Sequence, residues 1–460
     1  MDGQDSRRVA FQDNEVAAEL SALVLYGVQE AEEAVMNTLK AKTECFMRRR
    51  LFFLFVFVVS MLVMFQRRPY VLAYANFWAE DGKLFFPQMY HDGIKSLFYP
   101  YAGYFHLVPR LVMLLTLPFG IINAPLISNF MALVLRAVPM IFLFTRRFDF
   151  MGTACRFFLW VYFLIMPNAL ETLGNITNIQ WNLSIYLLMA IIADPPESIT
   201  EKLHDWIVLI LAGLSGPFVI FAAPLMILGN ASRGKSPAFK IAAVVLGIVQ
   251  FCTVMFTSRE FQHNSLAEVN TSIYEFTLWT ARVICSRVIY AAFLPIPGVA
   301  AHVLRTSVFL SFTVFMLCAS AVLYGFIAGG WRFRVSILYA LAISCSGMLR
   351  TWLSLDDPNI LIVHSNSRYF ILSNIVVFSM VIFSAKAFWT SHNGTVRDKL
   401  CIYISVLLTV IAMLSFSLFP PQRQLDYRRD IREKYYPAAS GSRVVIPIEP
   451  EGWKMTIIQK

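Results

Sequence analysis

Arg48-Arg49-Arg50, followed at once by Leu51-Phe52-Phe53-Leu54-Phe55-Val56-Phe57-Val58-Val59-Ser60-Met61-Leu62-Val63-Met64-Phe65, decides the fold class. No charge interrupts the run from Leu51 to Phe65, and its basic flank marks the side that stays in the cytoplasm, so it reads as a first membrane span entered from inside. Runs of the same kind recur down the chain, without the ten-residue alternation of outer-membrane barrels. In hydrocarbon each backbone N–H and C=O needs a partner within its own segment, so these runs are expected to be helices. Composition agrees: 57% of residues are hydrophobic, 15% are charged, and Phe occurs 40 times in 460 residues. Mean hydropathy is +0.60. The expectation is an all-α integral membrane protein.

Charge and parity order the remaining runs. With the N-terminus inside, residues from Gln66 onward fall outside, including the acidic pair Glu80-Asp81. The run His106 to Ile122 is broken by Pro109, Pro118 and Gly120 and carries Arg110; were it a crossing, Arg146 and Arg147 would land on the outer face. It is therefore expected to lie at the interface or to insert halfway, leaving a first outer loop over 66–125. Further spans are expected near 127–145, 154–167, 181–193, 206–215, 217–229, 241–257, 307–328, 335–353, 369–389 and 400–419, about eleven in all. Leu214-Ser215-Gly216-Pro217 divides one long stretch into a tight hairpin. Inner loops then collect Arg146/Arg147, Lys202, Arg233/Lys235/Lys240, Arg332/Arg334 and Arg397/Lys399. Three regions result: a cytoplasmic extension over 1–50, a transmembrane domain over 51–419, and a small extracytoplasmic tail over 420–460 with a β-like run from Arg443 to Ile448. The segment 258–306 forms a second large outer loop, with a turn at Pro295-Ile296-Pro297-Gly298.

A net charge of +10 raises nucleic acid as a partner, but the basic residues are dispersed among apolar spans and form no nucleic-acid motif. The 7 cysteines lie singly, without metal or redox spacing, so no disulfide framework is expected. Residues Val16 to Lys42 are polar, too acidic for a transit peptide and without a signal-cleavage pattern.

Chemistry is expected in the first outer loop. In Phe77-Trp78-Ala79-Glu80-Asp81-Gly82, a carboxylate at the membrane surface can take a proton from a hydroxyl once burial and neighbours tune it. Trp78 offers an apolar wall, and Gly82 allows close backbone approach. Tyr99-Pro100-Tyr101-Ala102-Gly103-Tyr104-Phe105-His106 and Pro109-Arg110 follow in the same loop, with His106 and Arg110 at i, i+4 spacing. An isolated acidic pair is otherwise a solvated loop feature; the aromatic, hydroxyl-rich neighbourhood is what points to a site.

These residues resemble the GT-C superfamily of polytopic glycosyltransferases, which take sugars from polyprenyl-phosphate carriers on the outer side of a membrane. Trp78 to Gly82 and Gly103 to Arg110 look like a bacterial branch that modifies O-antigen or other envelope glycans. The resemblance implies a GT-C-like fold with juxtamembrane helices in the first outer loop, in a bacterial inner membrane. One carboxylate of that loop would be the general base, Asp81 as first choice and Glu80 as second. A second acidic position is implied in the second outer loop, where Glu171 stands, followed by Asn175-Ile176-Thr177-Asn178-Ile179-Gln180-Trp181-Asn182; Asn178 and Trp181 would contact sugar, although the same residues also suit helix capping. Arg368-Tyr369 resembles the Arg-Tyr placed at the donor phosphate, where a guanidinium can grip two oxygens; a snorkelling anchor is the plainer reading. Trp78, His106 and Arg110 complete the implied substrate site. The implied partners are membrane lipid, the lipid-linked sugar and a glycan or protein acceptor. No cofactor is required beyond the lipid carrier; Asp356, Asp357 and His364 offer ligands for a divalent metal, but Asp-Asp-Pro is also an ordinary turn, and no metal is expected.

Two rival classes fit a many-span bundle. A transporter or flippase would place ionisable residues near the bilayer midplane, whereas the polar clusters here fall at the outer ends of spans. A polysaccharide ligase would rest on arginine and histidine chemistry in a large loop, against which the early acidic motif argues.

Overall fold

A computed structural model describes residues 47–232, 234–257, 273–294, 308–354, 366–391 and 425–460. The extension up to residue 46, the turn at Pro295 to Gly298, the Asp356, Asp357 and His364 group and the expected span over 400–419 lie outside the described residues. The chain divides into two compact units, Met1–Val58 and Val59–Lys460. Of the first, the described part is 47–58, the opening of helix α1 (Met47–Arg67).

The second unit is built of helices whose positions follow the apolar runs. These are α2 (Leu107–Thr116), α3 (Ala124–Leu143), α4 (Thr153–Ile165), α5 (Ile179–Ile192), α6 (Ile199–Gly213), α7 (Val219–Ile227), α8 (Pro237–Thr257), α9 (Ile273–Val283), α10 (Val308–Ala328), α11 (Trp331–Ser354) and α12 (Ile371–Ser391). Among the described residues four helices are long and apolar enough to cross a membrane: Met47–Arg67, Ala124–Leu143, Pro237–Thr257 and Trp331–Trp352. Leu107–Phe119, Thr153–Ile165, Ile179–Ile192 and Ser367–Phe383 are shorter apolar helices. The chain is thus mostly helical, as an all-α membrane protein is.

Local chemistry sets the helix ends. Pro125 stands in the first turn of α3, where a missing N–H costs nothing. Ser198 and Glu201 form a reciprocal cap at the start of α6. Between Arg67 and α3 the chain makes only short elements, and α2 stops after ten residues, too short to span hydrocarbon.

Buried arginines bind one element to another by satisfying carbonyls that helices leave unpaired. Arg67 donates to the carbonyls of Leu164 and Met166 at the end of α4, at 2.7 and 2.9 Å. Arg68 donates to the Leu173 carbonyl at 2.7 Å. Arg136, within α3, donates to Thr172 Oγ1 at 2.9 Å and Asn182 Oδ1 at 3.2 Å, tying α3 to the segment before α5 and to α5 itself.

The helix ends sort into two groups. At one, Arg147 makes a two-pronged pair with Asp205 (2.6 and 3.0 Å), Lys235 joins that carboxylate at 2.8 Å, and Arg332 binds Asp194. We term this the basic end. At the other gather the acidic turn, the segment between α4 and α5, the hairpin between α6 and α7, and the start of α12.

The C-terminal tail differs from the appendix expected from sequence. Arg443–Ile448 is a strand, and it pairs antiparallel with Trp453–Ile458 in a register that sets Ile446 opposite Met455. Ile446, Ile448, Met455 and Ile457 are fully buried because this hairpin packs on the first loop. The Tyr427 hydroxyl donates to the Ile121 carbonyl at 3.1 Å and its ring meets Phe77 edge-on at 5.6 Å. The tail is a wall of the candidate site.

Candidate functional site

The acidic turn is held by backbone. Glu449 N–H donates to the Phe77 carbonyl at 3.0 Å, and Ala79 N–H donates to the Glu449 carbonyl at 2.5 Å. Ala79 takes a left-handed φ of 44°, after which Asp81 to Phe85 form a π-helical turn leading into a short helix, Phe86–Asp92. Glycine at 82 is required by contact: a Cβ there would lie 2.7 Å from Phe77 Cβ and 2.9 Å from Ile448 Cδ1. Trp78 carries the Arg68 guanidinium over its ring at 4.7 Å, and Arg68 also pairs with the Glu449 carboxylate at 3.4 Å.

The two adjacent carboxyls have opposite environments. Asp81 is fully buried; its Oδ2 accepts from the Ile176 N–H at 3.2 Å, and its Oδ1 has no hydrogen-bond partner among the described residues. Burial pushes its pKa up to about 8, helped by the charge of Glu80 and opposed by Thr177 and the Ile176 N–H. At neutral pH Asp81 is therefore mostly a neutral acid linking the first loop to the second. Glu80 stays partly exposed and accepts from the Tyr101 hydroxyl at 3.4 Å.

Tyr101 and Tyr104 face each other across a tight turn, exchanging both backbone hydrogen bonds (3.0 and 3.1 Å), with left-handed φ at Ala102 (52°) and Gly103 (93°). Gln180 Nε2 donates to the Tyr104 hydroxyl at 3.1 Å, joining this turn to α5. His106 lies beneath it, 3% exposed, with ring centroids of Tyr104 and Phe85 at 4.5 and 5.1 Å and its Nε2 on the Tyr101 carbonyl. Burial, then the Arg110 charge, push the His106 pKa down to about 3. Arg110 is itself fully buried and donates to Gln88 Oε1 at 2.8 Å. His106 and Arg110, both named from the sequence as substrate contacts, pack beneath the aromatic turn.

Across from Glu80, Arg368 opens the 3-10 turn before α12. Its Nη1 donates to Glu171 Oε1 at 2.5 Å and its backbone N–H to Glu171 Oε2 at 3.2 Å. Tyr369 is half-buried, 5.2 Å from the Trp181 ring, and carries the Arg368 guanidinium at 5.5 Å. Trp181 is 8% exposed, and its Nε1 has no partner among the described residues. Asn178 is occupied in the turn: its side chain donates to the Glu171 carbonyl at 3.0 Å and its N–H to Asn175 Oδ1 at 3.1 Å, while its side chain makes no cap hydrogen bond to α5.

The convergence is electrostatic as well as geometric. Burial raises the Tyr104 phenol, and the charges acting on it come from Arg350, Arg368 and Glu80. Two turns of the first loop, the 3-10 turn before α12 and the last turns of α11 thus bring Glu80, Tyr101, Tyr104, Arg368, Tyr369 and Arg350 into electrostatic reach of one another. Arg350 was not singled out from sequence; its signal was a lone arginine near the end of an apolar run, Leu349-Arg350-Thr351-Trp352. Arg287 was likewise missed as a contributor. It is buried beneath the cluster and donates to Ser367 Oγ at 2.7 Å, holding the residue before Arg368. The role of Glu449 left no local trace at all.

Comparison of the chain with protein-family models, with curated proteins and with solved structures gives no match.

Proposed function

We propose that the protein is an inverting glycosyltransferase that moves a sugar from a polyprenyl-phosphate carrier to an envelope glycan or protein acceptor at the outer face of a bacterial inner membrane. The reading includes the GT-C resemblance and the topology of about eleven spans with the acidic end outside. One observation carries it: a partly exposed carboxylate, Glu80, and a cationic pair, Arg368 and Arg350, act on the same tyrosine-lined spot.

Phosphate is a good leaving group, so transfer needs positive charge at the phosphate and a base on the acceptor, not a strong general acid. Arg368, with Tyr369 beside it, supplies the first and the carboxylate of the acidic pair the second. Direct displacement of the phosphate by the activated hydroxyl inverts the anomeric carbon, the proton passing to the carboxylate. Complete burial of Asp81 favours Glu80 as that base, with Asp81 holding the turn against Ile176. Trp78, Tyr101 and Trp181 would bound the sugar; His106 and Asn178 act through the backbone they support, and Arg110 through Gln88. No cofactor or metal enters this chemistry.

Purified protein incubated with polyprenyl-phosphate sugars and candidate acceptors should release polyprenyl phosphate and glycosylated product of opposite anomeric configuration, read by mass spectrometry and NMR. Failure to consume any such donor, together with transport of a lipid-linked substrate in reconstituted vesicles, would sink the reading.

A further inference from the structure

Among the described residues, a cavity of about 300 Å³ lies at the basic end, away from the Glu80 cluster. Its inner limit is apolar and closed: Phe163, Ile185 and Leu372 are 3–4% exposed. Its mouth is formed by Phe150, Gly330 and Arg332, which reach solvent. Between Leu372 and Phe383 the cavity follows α12 for three turns, about 16 Å. A narrow apolar hole of that depth accepts a hydrocarbon chain, and the residues at its mouth choose the head.

Arg332 is the one charged residue in the lining. Its Nε donates to the Ile192 carbonyl at 2.7 Å, its Nη2 to the Asp194 carboxylate, and its guanidinium lies over the Phe150 and Trp331 rings at 3.8 and 4.9 Å. These contacts fix its direction and leave Nη1 without a hydrogen bond among the described residues. Asp194 holds this guanidinium through Nη2, so Nη1 at the mouth is directed to take a second anion.

We infer that this cavity seats an anionic membrane phospholipid, one acyl chain inserted from the basic end and the phosphate on Nη1 of Arg332. The site is separate from glycosyl transfer: a donor with its phosphate at Arg368 would have to enter at the closed, Leu372 end. Phosphatidylglycerol is the probe, titrated against phosphatidylcholine into detergent-purified full-length protein and read by native mass spectrometry. One phosphatidylglycerol is expected to bind, about fivefold tighter than phosphatidylcholine. Arg332→Gln should erase that preference, and Ser379→Trp, which fills the cavity, should abolish retention of both lipids. Equal binding of the two lipids by the native protein, or unchanged binding in Ser379→Trp, overturns the proposal. So does one-for-one displacement by polyprenyl phosphate. Should either variant not fold, the native protein still decides: dihexanoyl phosphatidylglycerol, too short to reach Phe163, should bind at least about tenfold more weakly than the dipalmitoyl lipid, and equal binding refutes the inserted chain.

Discussion

Glu171 holds Arg368 at two points, one carboxylate oxygen on the guanidinium at 2.5 Å and the other on the backbone N–H at 3.2 Å. The arginine is thereby aimed before any anion arrives, and an incoming phosphate must share it with Glu171. Breaking one partner separates the two effects. Glu171→Gln keeps an acceptor for the N–H but removes the competing charge, so the donor KM should fall several-fold while kcat also falls as the guanidinium loses its direction. Arg368→Gln should cost about 10²-fold or more in kcat/KM. Steady-state kinetics at fixed acceptor measures both; an unchanged donor KM in Glu171→Gln would show that the pair does not compete with phosphate.

Asp81 gives stability a slope with pH. Its folded-state pKa is raised from 3.8 to about 8, so over that window the folded protein keeps a proton that the unfolded chain has released. The contribution is present below pH 3.8 and is lost as pH rises through 8. Asp81→Asn should flatten this decline, visible as a smaller fall in thermal midpoint between pH 5 and pH 8, conditions chosen at about the middle and top of the window. Parallel curves for the two proteins would count against a buried neutral acid.

His106 works in the opposite direction. Its folded pKa is lowered to about 3 from 6.5, so its contribution is present above 6.5 and is lost as pH falls toward 3. His106→Phe should blunt acid destabilisation and, because the ring packs between Tyr104 and Phe85, keep transfer within a few-fold of native. Loss of activity with normal stability would make His106 a substrate contact after all.

Gly82→Ala places a Cβ against Phe77 Cβ and Ile448 Cδ1. Ile448 can yield, but Phe77 Cβ is bound to its backbone, so a cost of about 1–3 kcal/mol is expected. The strain falls where Ile448 of the C-terminal hairpin packs on Gly82. Limited proteolysis should release the segment beyond Tyr427 faster than in native protein, and an unchanged cleavage rate would contradict the packing.

The helices were legible in the sequence because burial in lipid and burial in protein both demand unbroken apolar runs, and the breaks at Pro109, Gly120 and Ser215-Gly216-Pro217 fall between or within short elements as chain stiffness requires. The sequence reading set the first loop, Glu171 and Arg368 on one side of the spans, and in the structure Asp81 meets Ile176 and Arg368 meets Glu171. What was not legible depends on distant contacts. Glu80 and Asp81 are neighbours with the same chemistry, and it is a distant segment, Ile176 and Thr177, that meets Asp81 in its buried position while Glu80 stays partly exposed. The strand Arg443–Ile448 was readable as a β-like run, but the attachment of the segment after it to Phe77 and Ala79 is not encoded locally. His106 and Arg110 have the helical spacing of a site and the surroundings of a core.

The division of labour within the acidic pair is tested most directly by transfer rates of Glu80→Gln and Asp81→Asn, measured at saturating donor near pH 7. Glu80→Gln should lose about 10²–10⁴-fold in kcat with its fold intact, and Asp81→Asn should stay within about tenfold of native. Full activity in Glu80→Gln alongside an inactive but folded Asp81→Asn would contradict the assignment.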